Sequence, residues 1–166
     1  MARDTEAGRP TEARRPSQVR DENRLASPVI VVGLDGSPSS WDAFCWAAGE
    51  AARIHGKVVA VYVTPYAEVV AAFGVPYDYA GVEQARQEVA AELKLEATNR
   101  ARELDVELTF VSEHGDVTHV LADIARTMHA DLIVVGRSSK MLHHLGSSLS
   151  NRLTSRNNAP VVVVVP

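Results

Sequence analysis

Two polar segments, each directly after an apolar run, concentrate the residues that could handle a charged ligand. The first, "GLDGSPSS", puts Asp35 at the end of the run Val29–Leu34 and Ser37–Ser40 ahead of a helical pattern. A carboxylate there can accept hydrogen bonds from a polar ligand, while a helix N-terminus favours an anion. The same residues also spell an Asp-Gly turn and a serine cap. The second segment, "VVGRSSKMLHHLGSSLSNRL", has Gly136 at the end of another apolar run and Gly146, Ser147 and Ser148 opening a short helix. Backbone N–H groups, serine hydroxyls and a helix dipole together suit a phosphate. Arg137 and Lys140 add positive charge. An αL glycine and a serine-capped helix are the purely structural alternative.

Other chemistry has less to stand on. The chain has no G-x-x-x-x-G-K-[ST], no G-x-G-x-x-G and no G-x-S-x-G segment. His143 and His144 are adjacent, and no second cluster has metal-ligand spacing, so no metal site is expected. Serine, histidine and aspartate are plentiful, but no spacing ties a triad together. The sole cysteine, Cys45, falls on the apolar stripe of the first helical pattern and reads as a buried, inert thiol. The sequence therefore names no catalytic residue.

The elements that must position these residues follow from hydrophobic periodicity. Strand-like runs occur at Val29–Leu34, Val58–Val63, Val106–Val111, Asp131–Val135 and Val161–Val165. Four are nearly continuous in apolar character, as strands buried on both faces should be. The third, "VELTFV", alternates and fits an edge. Helical patterns lie between them. Residues 38–55 carry Trp41, Cys45, Ala48 and Ala52 on one stripe, and Gly56 stops them. Residues 82–104 carry Val82, Val89, Leu93, Ala97, Ala101 and Leu104. Residues 117–128 carry Val120, Leu121, Ile124 and Met128, with Asp116 as N-cap. A last short helix should hold Leu149 and Leu153. Strict β-α alternation predicts an α/β fold: a doubly wound parallel sheet with helices on both faces. Ligands of such sheets bind beyond the carboxyl ends of the strands, after residues 34, 63, 111 and 135, where strand order reverses.

Composition bounds the rest. The chain has 166 residues, 46% hydrophobic and 23% charged, with a formal net charge of -4. No window approaches the roughly 18 apolar residues of a membrane span. An acidic balance, pI about 5.8, argues against nucleic acid as a partner. A single cysteine permits no intrachain disulfide and suits a reducing cytoplasm. Residues 1–28 hold six arginines and five acids, no aromatic residue and no apolar run, and composition predicts a disordered tail. The domain proper is then 29–166. Residues 62–81 concentrate five aromatic residues after the second strand, a long connection that packs on itself or covers a cleft. The run Val161–Val165 would be an apolar edge strand, best covered by the same strand of a second copy in a homodimer.

"VIVVGLDGSPSSWDAFCWAA", "EHGDVTHVLADIA", "ADLIVVGRSS" and "LGSSLSNRLTSRNNAPVVVVVP", in this order, resemble the universal stress protein family over residues 29–166. The resemblance implies a Rossmann-like five-stranded parallel sheet ordered 3-2-1-4-5, a small cytoplasmic stress-response protein, and a dimer through the last strand. One branch of the family binds ATP and another does not. In the ATP-binding branch an acid after the first strand contacts the nucleotide, and Asp35 holds that place. Backbone at the end of the second strand meets the adenine, here Val63. Phosphates and ribose lie on a G-x2-G-x9-G-[ST] loop, to which Gly136, Gly146 and Ser147 correspond, with Arg137 and Ser148 beside them. Ser139 stands where the second glycine belongs, and residues 137–145 supply nine residues where the family has twelve. The resemblance thus implies an adenine-nucleotide-binding regulatory module, taking ATP alone or with Mg2+. A nucleotide-free dimeric interaction protein is the alternative, and an ATP-hydrolysing enzyme ranks third.

Overall fold

The computed structural model describes residues 27–64, 79–137, 149–154 and 160–166. Within them β1 (Val29–Gly33), α1 (Pro38–Ile54), β2 (Lys57–Thr64), α2 (Tyr79–Glu103), β3 (Glu107–His114), α3 (Val117–Thr127), β4 (Leu132–Gly136), α4 (Leu149–Thr154) and β5 (Val161–Val165) succeed one another. The strands form one parallel sheet ordered β3-β2-β1-β4-β5. The expected architecture is therefore present, with strand ends displaced by a few residues. The second strand runs on to Thr64, and the third starts at Glu107 and reaches His114. The fourth is shifted one residue, to Leu132–Gly136.

Period-two alternation divides the buried strand residues between two faces. Ile30, Val32, Val58, Ala60 and Val134 face α1 and α2. Val31, Val59, Val61, Ile133 and Val135 face α3 and α4. The third strand alternates because it lies at an edge, covered on one side only. Asp131 secures the start of the fourth: its Oδ2 accepts from Val29 N at 2.9 Å, and its amide donates to Val29 O at 2.9 Å.

The first helix buries Ala43, Phe44, Ala47, Ala48 and Ala51, a stripe of i, i+3, i+4 spacing that lets backbone approach sheet closely. The expected stripe through Cys45 and Ala52 is thus displaced, and Cys45 is exposed rather than buried. Its sulfur instead accepts from Arg100 Nη1 at 3.5 Å. That guanidinium also lies 4.4 Å over the Trp41 ring and pairs with Glu96 at 2.7 Å, tying α1 to α2. In α2 only Leu93, Ala97 and Ala101 are buried; Val82 and Val89 of the expected stripe are exposed because only the later turns cover the sheet, and Leu104, just past the helix end, is exposed as well. In α3 the buried positions are Thr118, Leu121 and Ala125, and Met128 is exposed. The last strand is an edge with Val161 64% and Val164 44% exposed. Among the described residues no helix is long and apolar enough to cross a membrane.

Candidate functional site

Chain order reverses between β1 and β4, and a cleft of about 270 Å³ opens there at the carboxyl ends of the strands. Gly33, Leu34, Val61, Val63, Val135 and Gly136 supply its apolar floor. Its rim is polar: Asp35 and three serines on one side, Asp116, Thr118 and Arg152 on the other.

The Asp35 rim is a self-contained turn. Asp35 Oδ1 accepts from Ser37 N at 2.9 Å while Gly36 takes φ +82°, a left-handed value that glycine adopts without strain. Ser37 caps α1, its hydroxyl accepting from Ser40 N at 3.2 Å. The buried Ser40 hydroxyl donates to Ser37 O at 2.9 Å. Asp35 also acts beyond the turn. Burial pushes the Tyr62 hydroxyl above its ordinary pKa, Arg86 opposes that rise, and Asp35 adds to it.

Gly136 closes the floor from beneath α1. A Cβ there would overlap the Ser39 carbonyl and come within 2.8 Å of Ser40 N. Only a glycine lets the start of α1 lie so close to the end of β4.

Asp116 is the N-cap of α3, its Oδ1 accepting from His119 N at 3.0 Å. Its other oxygen lies 2.8 Å from Arg152 Nη2 on α4. Burial pushes the Asp116 carboxyl up, but Arg152 and the amides of His119 and Thr118 together hold it below its ordinary value. The group is an anion at neutral pH.

The structure thus brings Asp35, Val63 and Gly136 to one cleft. Arg137 is exposed and donates its amide to Val165 O at 2.8 Å; it is not among the described lining residues. Ser139, Gly146, Ser147 and Ser148 lie outside the described residues, as do Lys140, His143, His144, residues 65–78 of the aromatic stretch and residues 1–26 of the tail. Sequence reasoning missed Arg152 and saw in Asp116 only a cap. The signal for Asp116 was its place at the start of the helix that crosses back over β1. Arg152 had a weaker one: it adjoins Leu153 on the only turn and a half of α4.

A doubly wound parallel sheet with a polar-rimmed cleft at its switch point defines a Rossmann-like class of domain. The universal stress protein family model matches residues 28–165, and the chain belongs to that family. No curated protein sequence matches it. Among solved structures, a universal stress protein family member from Burkholderia pseudomallei is 29% identical with a TM-score of 0.65, over 83% of this chain and 95% of that one. A universal stress protein in complex with cAMP is 24% identical with a TM-score of 0.61, over 84% and 97%. Another, from Archaeoglobus fulgidus in complex with dAMP, is 21% identical with a TM-score of 0.58, over 86% and 99%.

Proposed function

We propose that this protein binds an adenine nucleotide, ATP foremost, in the cleft between β1 and β4, and that occupancy makes it a stress-response regulatory module. The observation that carries the reading is the convergence of Asp35, Val63 and Gly136 on one cleft at the switch point. The cAMP and dAMP complexes of the two fold relatives support it. In this reading Asp35 accepts hydrogen bonds from ligand hydroxyls, and Val63 backbone borders the base. The reading assigns the phosphates to Gly136 and, with it, to Arg137, Ser139, Gly146, Ser147 and Ser148. Among the described residues no three metal-ligating side chains cluster. Mg2+, where the ligand carries it, arrives on the nucleotide's own phosphates.

The domain proper is 29–166, and it acts in the cytoplasm without catalysing a reaction. It dimerises through Val161–Val165, whose exposed Val161 and Val164 give a second copy apolar surface to cover. A lysine at Val164 should leave a monomer by sedimentation velocity if that strand is the interface.

One observation favours a second reading, a nucleotide-free interaction protein. The cleft is satisfied from within: Asp35 holds the Ser37 amide, Asp116 holds Arg152, and Gly136 has a packing reason of its own. Mass spectrometry of the denatured supernatant, with calorimetric titration of ATP, separates the two. Co-purified adenylate, or binding weakened by Asp35→Ala, supports the first reading. A clean supernatant with no heat at high micromolar ATP leaves the second.

A further inference from the structure

We infer that Arg152 reads the phosphate charge of the ligand, with Asp116 as its resident competitor; the inference rests on the nucleotide reading above. Among the described lining residues Arg152 is the one cation, against the two carboxylates Asp35 and Asp116. In the structure its Nη2 is held 2.8 Å from Asp116 Oδ2.

The pair is built to exchange. Its side chains are 46% and 48% exposed, so water screens it and its closure is worth little. A phosphate offers the guanidinium a doubly hydrogen-bonded partner of higher charge than a carboxylate. The two carboxylates also fix the ligand's direction. Asp35, whose Oδ1 accepts from the Ser37 amide, puts a negative charge at the start of α1. Among the described lining residues, the Arg152 side alone offers phosphate a cation. When Arg152 swings to the ligand, Asp116 loses its cation beside a second anion. Affinity is therefore set by competition, and the competition grows with the number of phosphates and vanishes for a nucleoside.

Calorimetric titration of the full chain with ATP, AMP and adenosine tests this, with urea melts run in parallel to confirm folding. Asp116→Asn keeps the cap, since asparagine caps as well as aspartate, and removes the charge. It should bind ATP about two- to fivefold more tightly. Arg152→Gln should weaken ATP about tenfold or more, AMP by less, and adenosine by under about twofold. Arg152→Lys should recover part of the loss. If wild type binds ATP and Arg152→Gln binds it equally well, or weakens adenosine as much as ATP, the inference is overturned and the nucleotide reading stands. Weaker ATP binding by Asp116→Asn has the same consequence. If neither wild type nor Asp116→Asn binds any of the three, both fail together.

Discussion

Replacing Gly136 by alanine should destabilise the protein with no nucleotide present. The added Cβ would overlap the carbonyl of Ser39 and press on Ser40 N at 2.8 Å. Neither neighbour yields cheaply. Ser40 is buried, and its hydroxyl bonds both Ser37 O at 2.9 Å and Asp35 N at 3.3 Å. The Trp41 amide holds Ser37 O at 3.1 Å as well. Relief requires lifting the first turn of α1 off β4. Overpacking of this kind costs about 1–3 kcal/mol, and loosening the Ser37 cap adds about 1 kcal/mol, giving about 2–4 kcal/mol. At about 3 °C per kcal/mol for a domain of this size, the melting midpoint should fall roughly 6–12 °C.

Gly49, inside the same helix, supplies the control. A Cβ there meets nothing within 4 Å, and the position is exposed. Gly49→Ala should therefore stabilise by about 1 kcal/mol through helix propensity alone. Urea unfolding followed by circular dichroism measures both. A Gly136→Ala variant within about 0.5 kcal/mol of wild type would refute the packing argument and return that glycine wholly to ligand binding.

Three further outcomes follow from the same geometry. Cys45 should be titrated by a thiol reagent in the native state, because it is exposed; reaction only on unfolding would restore the buried assignment. The Asp116 pair should stabilise by about 0.2–1 kcal/mol, fully above the unfolded carboxyl value near 3.9, and the gain should be lost as pH falls through the lower folded value. The gap between wild type and Asp116→Asn in urea melts should therefore begin to narrow as pH falls below about 4 and close only below the folded value, and a constant gap down to pH 2 would contradict the pairing. His55 and His129 take φ of 54° and 52° at helix ends; glycine at either should raise stability by about 0.5 kcal/mol, read by thermal melts.

The fold was legible because burial on both faces leaves a sequence trace that tolerates no slip. Val31, between two neighbouring strands, has to be apolar, and so does each residue beside it. "VELTFV" alternates because an edge strand is covered on one side. Helix faces were less legible. In α1 alanines fill both the buried stripe and its flank, so composition does not separate Ala48 from Ala52, and Cys45 was drawn to the wrong side. In α2 a regular apolar pattern continues past the region that the sheet covers, so Val82 and Val89 look like core and are exposed.

The site divides along the same line. Asp35, Val63 and Gly136 stand at strand ends, where topology assigns a position to every residue, so sequence alone brought them together. Asp116 and Arg152 come together across 36 positions through the packing of α3 against α4, which no local pattern encodes. That difference also separates what each group can explain. Residues fixed by topology keep their place whether or not a ligand arrives, as the packing of Gly136 under Ser39 shows. An ion pair about half exposed has no such constraint from the core. If the cleft distinguishes one ligand charge from another, the discrimination has to lie in the contact that is free to exchange, and among the described lining residues that contact is Arg152 with Asp116.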